Sequence, residues 1–140
     1  MALVIDANVA VKWYVKQHDA ADARAVMSSG DELIAPDLLV AEVANALWIH
    51  VRSGDIELDK ALDSIEELPQ LITLESATKL ASSALRMAHE LVCSPYDCIY
   101  AVLALDRKCD FVTADRKFAE RLRASRRLPG VKLLDEYAAR

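Results

Sequence analysis

Residues 3–13 read LVIDANVAVKW, and the first four of them decide the fold. Leu3-Val4-Ile5 is an unbroken apolar run, too short for a helix and suited to a strand buried on both faces. It stops on an acid, Asp6. Leu33-Ile34-Ala35, Leu71 to Leu74, Phe111-Val112-Thr113 and Val131 to Leu134 read as further short strands. Between them the apolar spacing turns helical. Helices are expected over 7–16, over 19–29 closed by Gly30, and over 37–52 with Pro36 in the first turn and Gly54 at the end. Others are expected over 58–68 and 76–91, from Ser94-Pro95 to about Lys108, and over 115–126, with a turn at Pro129-Gly130. Strands separated by helices pair in parallel through right-handed crossovers. The expected fold is therefore α/β: a three-layer α/β/α sandwich, Rossmann-like, with a central parallel sheet of four to five strands in a single domain over residues 1–140.

Composition agrees with one core. The chain has 140 residues, 54% of them hydrophobic, with only 3 Gly and 4 Pro, which leaves little room for long disordered stretches. No basic stretch precedes the first apolar run, and no run approaches eighteen apolar residues, so neither a secretory signal nor a membrane span is expected. The expected location is the cytoplasm. Cys93, Cys98 and Cys109 are odd in number and match no zinc spacing, so they are read as reduced, partly buried thiols. His18, His50 and His89 are scattered. The net charge of −5 is uneven: residues 1–106 carry 7 Lys or Arg against 17 Asp or Glu, and residues 107–140 carry 10 against 5. An acidic body with a basic final quarter can hold cations in one place and phosphates in another; the plainer reading is a solvated helix face.

In open parallel sheets, sites lie beyond the carboxyl ends of the strands. Four acids fall there. Asp6 follows the first strand, Asp115 lies two residues past the fourth, Asp97 is in the first turn of the helix from Pro95, and Glu42 is about a turn and a half into the helix after the second strand. Asp6 and Asp115 each suit a helix N-cap, and Ser94-Pro95-Tyr96-Asp97 resembles a capping box. Glu42 resists such an account. Its helical neighbours Leu38, Leu39 and Ala46 place it on an apolar face, where a carboxylate needs a cation or a strong donor. Asn45, one turn on, is placed to orient it. Carboxylates without His or Cys suit a hard divalent ion, Mg²⁺ or Mn²⁺. Such an ion polarises a phosphate oxygen and acidifies an attacking water, so phosphodiester hydrolysis is the natural chemistry.

Four segments, VIDANVAVKW, PDLLVAEVANALW, YDCIYAVLA and FVTADRKF, resemble in order and spacing the signature segments of PIN domains. The likeness runs from residue 3 to about 134 and is nearest to the VapC-type toxins of prokaryotic toxin–antitoxin pairs. It implies a PIN-like fold, with Asp6, Glu42 and Asp97 as the core acids and Asp115 as the fourth. It implies that Thr113 supplies a hydroxyl near the metal cluster and that Asn8 helps hold the site. It further implies a Mg²⁺- or Mn²⁺-dependent endoribonuclease acting on structured RNA, a homodimer, and neutralisation by a cognate antitoxin protein. In the roles expected, Asp6, Asp97 and Asp115 bind metal directly or through water. Glu42 binds metal or helps deprotonate the attacking water, and the products carry a 5′-phosphate and a 3′-hydroxyl.

Arg116 and Lys117 adjoin Asp115 and are the expected contacts to RNA phosphates, ahead of Arg121, Arg123, Arg126 and Arg127. Trp13 and Tyr14 are read as core or dimer interface rather than base-stacking platforms, and Trp48 as core. The amphipathic helices over 58–68 and 76–91 suit either a dimer contact or the core alone. Three other functions share part of this pattern. A phosphatase with an aspartate nucleophile needs a second Asp where this chain has Asn8. A phospho-receiver module needs an acidic pair after the first strand, where only Asp6 stands. A non-catalytic PIN-like module that binds RNA or protein has no use for Glu42 on an apolar face.

Overall fold

The computed structural model describes residues 1–128 and 130–138; the Pro129 half of the expected turn lies outside the described residues. Among the described residues the five strands are β1 (Ala2–Ile5), β2 (Glu32–Pro36), β3 (Thr73–Glu75), β4 (Asp110–Thr113) and β5 (Val131–Leu133). They form one sheet in the order β3-β2-β1-β4-β5, and every pairing is parallel. The helices are α1 (Ala7–Ala10), α2 (Ala20–Met27), α3 (Leu38–Arg52), α4 (Leu58–Leu71), α5 (Ala77–Leu91), α6 (Pro95–Arg107), α7 (Arg116–Ser125) and α8 (Leu134–Ala138). A 3-10 turn over Val11–Trp13 extends α1. The central strands are buried on both faces, from Val4 and Ile5 on β1 to Phe111, Val112 and Thr113 on β4. Helices therefore cover the sheet above and below, and the architecture is the expected three-layer α/β/α sandwich.

The differences from the sequence reading are local and have physical causes. The helix expected over 7–16 is only a turn of α-helix followed by the 3-10 turn. Tyr14 N and Val15 N both return to the Val11 carbonyl, and this tightening sends Val15 into the core. Pro36 is the last residue of β2 rather than part of the next helix: it pairs in register with Glu75, and the amide that bonds across to the Glu75 carbonyl belongs to Asp37. The helix expected to end at Leu68 runs on to Leu71 through Pro69, so β3 begins at Thr73, not Leu71. Leu134 starts α8, a short helix that the apolar pattern of residues 131–134 does not reveal.

Trp48 is not core. It is 55% exposed, and the Arg52 guanidinium lies 5.1 Å over its ring. The buried stripe of α3 is Leu39, Val43 and Leu47, and residue 48 sits a further 100° round the helix. Trp13 does pack against the core, and its indole N–H donates to the Ala23 carbonyl at 2.9 Å. All three cysteines are free thiols. Among the described residues no helix is long and apolar enough to cross a membrane.

Candidate active site

The register of β1 and β4 builds the centre of the site. Ile5 lies opposite Val112, so the next residue on each strand, Asp6 and Thr113, meet at the carboxyl edge. The Asp6 backbone N–H donates to the Val112 carbonyl at 3.0 Å, which fixes the point where the chain leaves the sheet. Asp6 occupies the N-cap position of α1, but its side chain makes no capping bond there. Instead Asp6 Oδ2 accepts from the Thr113 hydroxyl at 2.8 Å, in a site where Asp6 is 5% exposed and Thr113 fully buried. The capping account of Asp6 is thereby set aside.

Thr113 has a full set of partners. Its oxygen accepts from the Asp115 backbone N–H at 3.0 Å and from Asn8 Nδ2 at 3.4 Å. Both acceptor positions are then taken by groups that can only donate, so the hydroxyl proton is aimed at Asp6. The orientation of Asn8 is equally fixed, because its Oδ1 accepts from the Ala114 backbone N–H at 3.0 Å. Asn8, Thr113 and Asp115 thus tie the end of β1 to the end of β4.

Asp115 does act as the N-cap of α7: its Oδ1 accepts from Phe118 N at 3.1 Å. That bond uses one carboxylate oxygen and places the other at the sheet edge. Asp97 lies in the first turn of α6. There the cap is Ser94, whose Oγ accepts from Tyr96 N at 3.1 Å; the return bond of a capping box, from Asp97, is not formed among the described residues. Glu42 is half-buried at the margin of the α3 stripe. Its Oε1 accepts from the Tyr100 hydroxyl at 2.6 Å.

Tyr100 is the site residue that the sequence reading missed. It is fully buried on α6, stacked on Phe111 with ring centroids 6.1 Å apart, and it is the strong donor that Glu42 requires. The signal was present, since Tyr100 follows Asp97 by three residues and shares its helix face. Asn45, expected to orient Glu42, is exposed and makes no bond to it; the geometry of α3 turns residue 45 away while α6 supplies the partner. Replacing Tyr100 by Phe keeps the ring stack and deletes the donor. It should cost about 2 kcal/mol, the usual worth of a hydrogen bond to a charged group. A fall in denaturation midpoint at pH 8, shrinking as Glu42 takes up a proton in acid, checks this; an unchanged midpoint contradicts it.

The four acids share one electrostatic field. Burial pushes the Asp6 carboxyl up to about 7, against the pull of the Thr113 hydroxyl, and the nearby charges of Asp97 and Glu42 add to the rise. Burial also raises Glu42, with Tyr100 opposing and Asp97 adding. Asp97 is raised by burial and then by Asp115. Carboxylates that raise one another in this way are a donor set short of positive charge. No three of them among the described residues already stand at coordinating distance from one point. The donors are all carboxylates, without His or Cys, and that is the donor type that Mg²⁺ or Mn²⁺ takes. The chemistry of the donor set therefore fits a hard divalent ion.

Beside the acids runs a cleft of about 240 Å³ lined by Cys93, Ser94, Asp97, Asp115, Lys117, Phe118 and Arg121. Lys117 thus shares a cleft with two of the acids. Arg116 does not: it reaches Asp135 at 3.4 Å and lines a different hollow with Lys12, His18 and Asp22. Successive helix positions lie 100° apart, so the two cations diverge at the start of α7.

The description of the PIN domain matches this chain over residues 3–123. Ribonuclease VapC3 of Pyrobaculum aerophilum is 32% identical over 127 residues, which span 89% of this chain and 97% of that protein. The crystal structure of PAE2754, also from Pyrobaculum aerophilum, superposes with a TM-score of 0.73 at 21% identity, over 100% of this chain and 97% of that one. VapBC2 of Rickettsia felis, solved bound to a DNA fragment from its promoter, gives a TM-score of 0.60 at 11% identity, over 95% and 97%. At these identities the two structures speak for the fold.

Proposed function

The chain belongs to the PIN-domain family, and from that premise we propose that it is a metal-dependent endoribonuclease, the toxin of a VapBC-type pair, which cuts RNA at the acidic cleft. The observation that carries this reading is the gathering of Asp6, Glu42, Asp97 and Asp115 at one sheet edge, each of the first three raised by burial and by a neighbouring acid. Asp6, Asp97 and Asp115 hold Mg²⁺ or Mn²⁺, directly or through water. Bound there, the ion supplies positive charge at the scissile phosphate and lowers the pKa of a water.

The chain's own groups do the rest. Tyr100 occupies Glu42 Oε1, which leaves Oε2 as the atom that accepts a proton from the attacking water. A Glu raised by burial is a better base for that task than an ordinary one. Thr113 and Asn8 fix the carboxylate of Asp6 while the substrate arrives. Glu42 has its donor in Tyr100, so the non-catalytic reading is disfavoured less by Glu42 alone than by the convergence of all four acids.

Antitoxin-free protein incubated with total cellular RNA should give discrete cuts with Mg²⁺ or Mn²⁺ and none with EDTA. Folded protein that leaves RNA intact under every metal condition would favour a PIN-like binding module instead. Lys117 contacts a substrate phosphate in this account and Arg116 does not. Lys117→Ala should weaken RNA binding and flatten its salt dependence by about one unit of log–log slope, while Arg116→Ala should leave the slope unchanged. Equal slopes for the two variants would remove Lys117 from the substrate path.

The partners follow from the same premise: an RNA substrate, a second copy of the chain and an antitoxin. Trp48 and Ile49 on α3, Leu58 and Leu62 on α4, and Leu85 on α5 are the large apolar residues that these helices expose, and so are the material available for protein contacts. Light scattering of the purified chain should give twice the monomer mass.

A further inference from the structure

Two of the three cysteines meet beside the acids. Cys93 lies in the turn between α5 and α6, and Cys98 in the first turns of α6, directly after Asp97. Their Sγ atoms are 3.2 Å apart. A disulfide needs about 2.05 Å, so closure asks for a contraction of roughly 1 Å. Cys98 is fully buried, whereas Cys93 is only half-buried and lines the cleft that contains Asp97 and Asp115. One thiol is thus reachable from the cleft, and the second waits behind it in contact.

We propose that Cys93 and Cys98 are a peroxide-reactive dithiol whose closure to a disulfide displaces Asp97 and shuts the site. The balance is complete. A peroxide transfers one oxygen to the Cys93 sulfur, giving a sulfenic acid and releasing water or an alcohol. The Cys98 sulfur then attacks the Cys93 sulfur, the S–O bond breaks, and the hydroxyl leaves as water with the Cys98 proton. The protein loses two hydrogens, the two sulfurs are oxidised together by two electrons, and the peroxide is reduced. A thiol reductant reverses the step by exchange.

The consequence for the site follows from the tether. Cys98 N donates to the Ser94 carbonyl at 3.1 Å, so the new bond spans a single closed turn, Cys93 to Cys98, and Asp97 lies inside it. A shift near 1 Å at a reacting group costs roughly 100-fold in rate. Cys98 is fully buried and Cys93 lines the cleft, so the half-buried Cys93 is the sulfur that meets the oxidant first. Cys109 stands at the opposite edge of the sheet, next to the first residue of β4, and takes no part.

This inference rests on the nuclease reading only for its effect on cleavage. The experiment treats the full chain with hydrogen peroxide, then follows intact mass, the Asp97 backbone amide signal by NMR, and metal-dependent RNA cleavage, each before and after dithiothreitol. The expected result is a loss of two hydrogens, a moved Asp97 signal and a fall in cleavage of roughly 100-fold, all reversed by the reductant. Cys93→Ser, compared with itself before peroxide, should show none of these changes, and Cys109→Ser should show them all. A gain of oxygen without loss of hydrogen overturns the proposal. So does a disulfide that leaves both the Asp97 signal and cleavage where they were. Reduced protein that never cuts RNA counts against the nuclease alone, because mass and the amide signal still decide the switch.

Discussion

Asp6→Asn should fold, become more stable than the parent in the absence of metal, and lose RNA cleavage by at least 100-fold. Stability and activity move in opposite directions because one charge serves both. The parent carboxyl is almost fully buried, and its pKa rises from 3.8 to about 7. The folded chain therefore binds this proton more tightly than the unfolded chain does. Stability falls as pH rises between those two values and stays reduced above them. The cost of the ionised carboxylate above pH 7 is on the order of 4 kcal/mol. Asn keeps an oxygen to accept from Thr113 and carries no charge, but it brings a buried N–H of its own. A net gain of about 2 kcal/mol at pH 8 is the expected balance. Well below pH 3.8 the parent carboxyl is protonated in both states, and the gain should turn into a loss of about 2 kcal/mol. Removing a partner behind a metal ligand costs 10- to 100-fold, so removing a charged ligand should cost about 100-fold or more. Urea melts at pH 4 and pH 8 check the first half, and cleavage kinetics the second. A variant that is active, or less stable at pH 8, would contradict the assignment.

Thr113→Val should be nearly as damaging to function, and it reverses the sign on stability. Valine fills the same space without the hydroxyl. Asp6 loses its donor in a buried position, and the part-buried N–H groups of Asp115 and Asn8 lose their acceptor. A buried donor left unpaired costs about 1–3 kcal/mol, so a loss of roughly 3 kcal/mol is expected after relaxation. Asp6 is then held less firmly and lifted further from ionisation, and cleavage should fall by roughly 10- to 100-fold. Thr113→Ser restores the hydroxyl and should recover most of both losses. Equal behaviour of the Val and Ser variants would show that Thr113 only fills space.

The alternation of short apolar runs with helical spacing was enough to read the layers, because a strand buried on both faces leaves no room for polar residues. Boundaries were harder. Pro36 can start a helix or end a strand, and only the pairing with Glu75 across β2 and β3 decides which. Asp6, Glu42 and Asp115 are legible as candidates because each lies just beyond a strand or early in the helix that follows one, and Asp97 because it stands in the first turn of the helix that Ser94-Pro95 opens. What each does locally was not legible. Asp115 caps its helix and Asp6 does not, since the register of β1 and β4 offers Asp6 the Thr113 hydroxyl in place of a helix amide. Asn45 is the expected partner of Glu42, and Tyr100 the actual one, for a related reason. Helical spacing within α3 suggests a neighbour for Glu42, whereas the actual donor arrives from α6, a contact of 58 residues in sequence separation that periodicity cannot show.

The measurement closest to the central claim is a calorimetric titration of Mn²⁺ into the antitoxin-free chain and into its Asp6→Asn, Glu42→Gln, Asp97→Asn and Asp115→Asn variants at one pH. The account predicts saturable binding to the parent with proton release, because Asp6 is partly protonated near neutral pH and must give up its proton to the ion. It also predicts weakened binding in the three Asp variants, and a smaller loss in Glu42→Gln, which removes a nearby negative charge but no group that holds the ion. Binding to the parent that survives unchanged in the Asp6 and Asp97 variants, or a folded parent that binds no divalent ion at all, would contradict it.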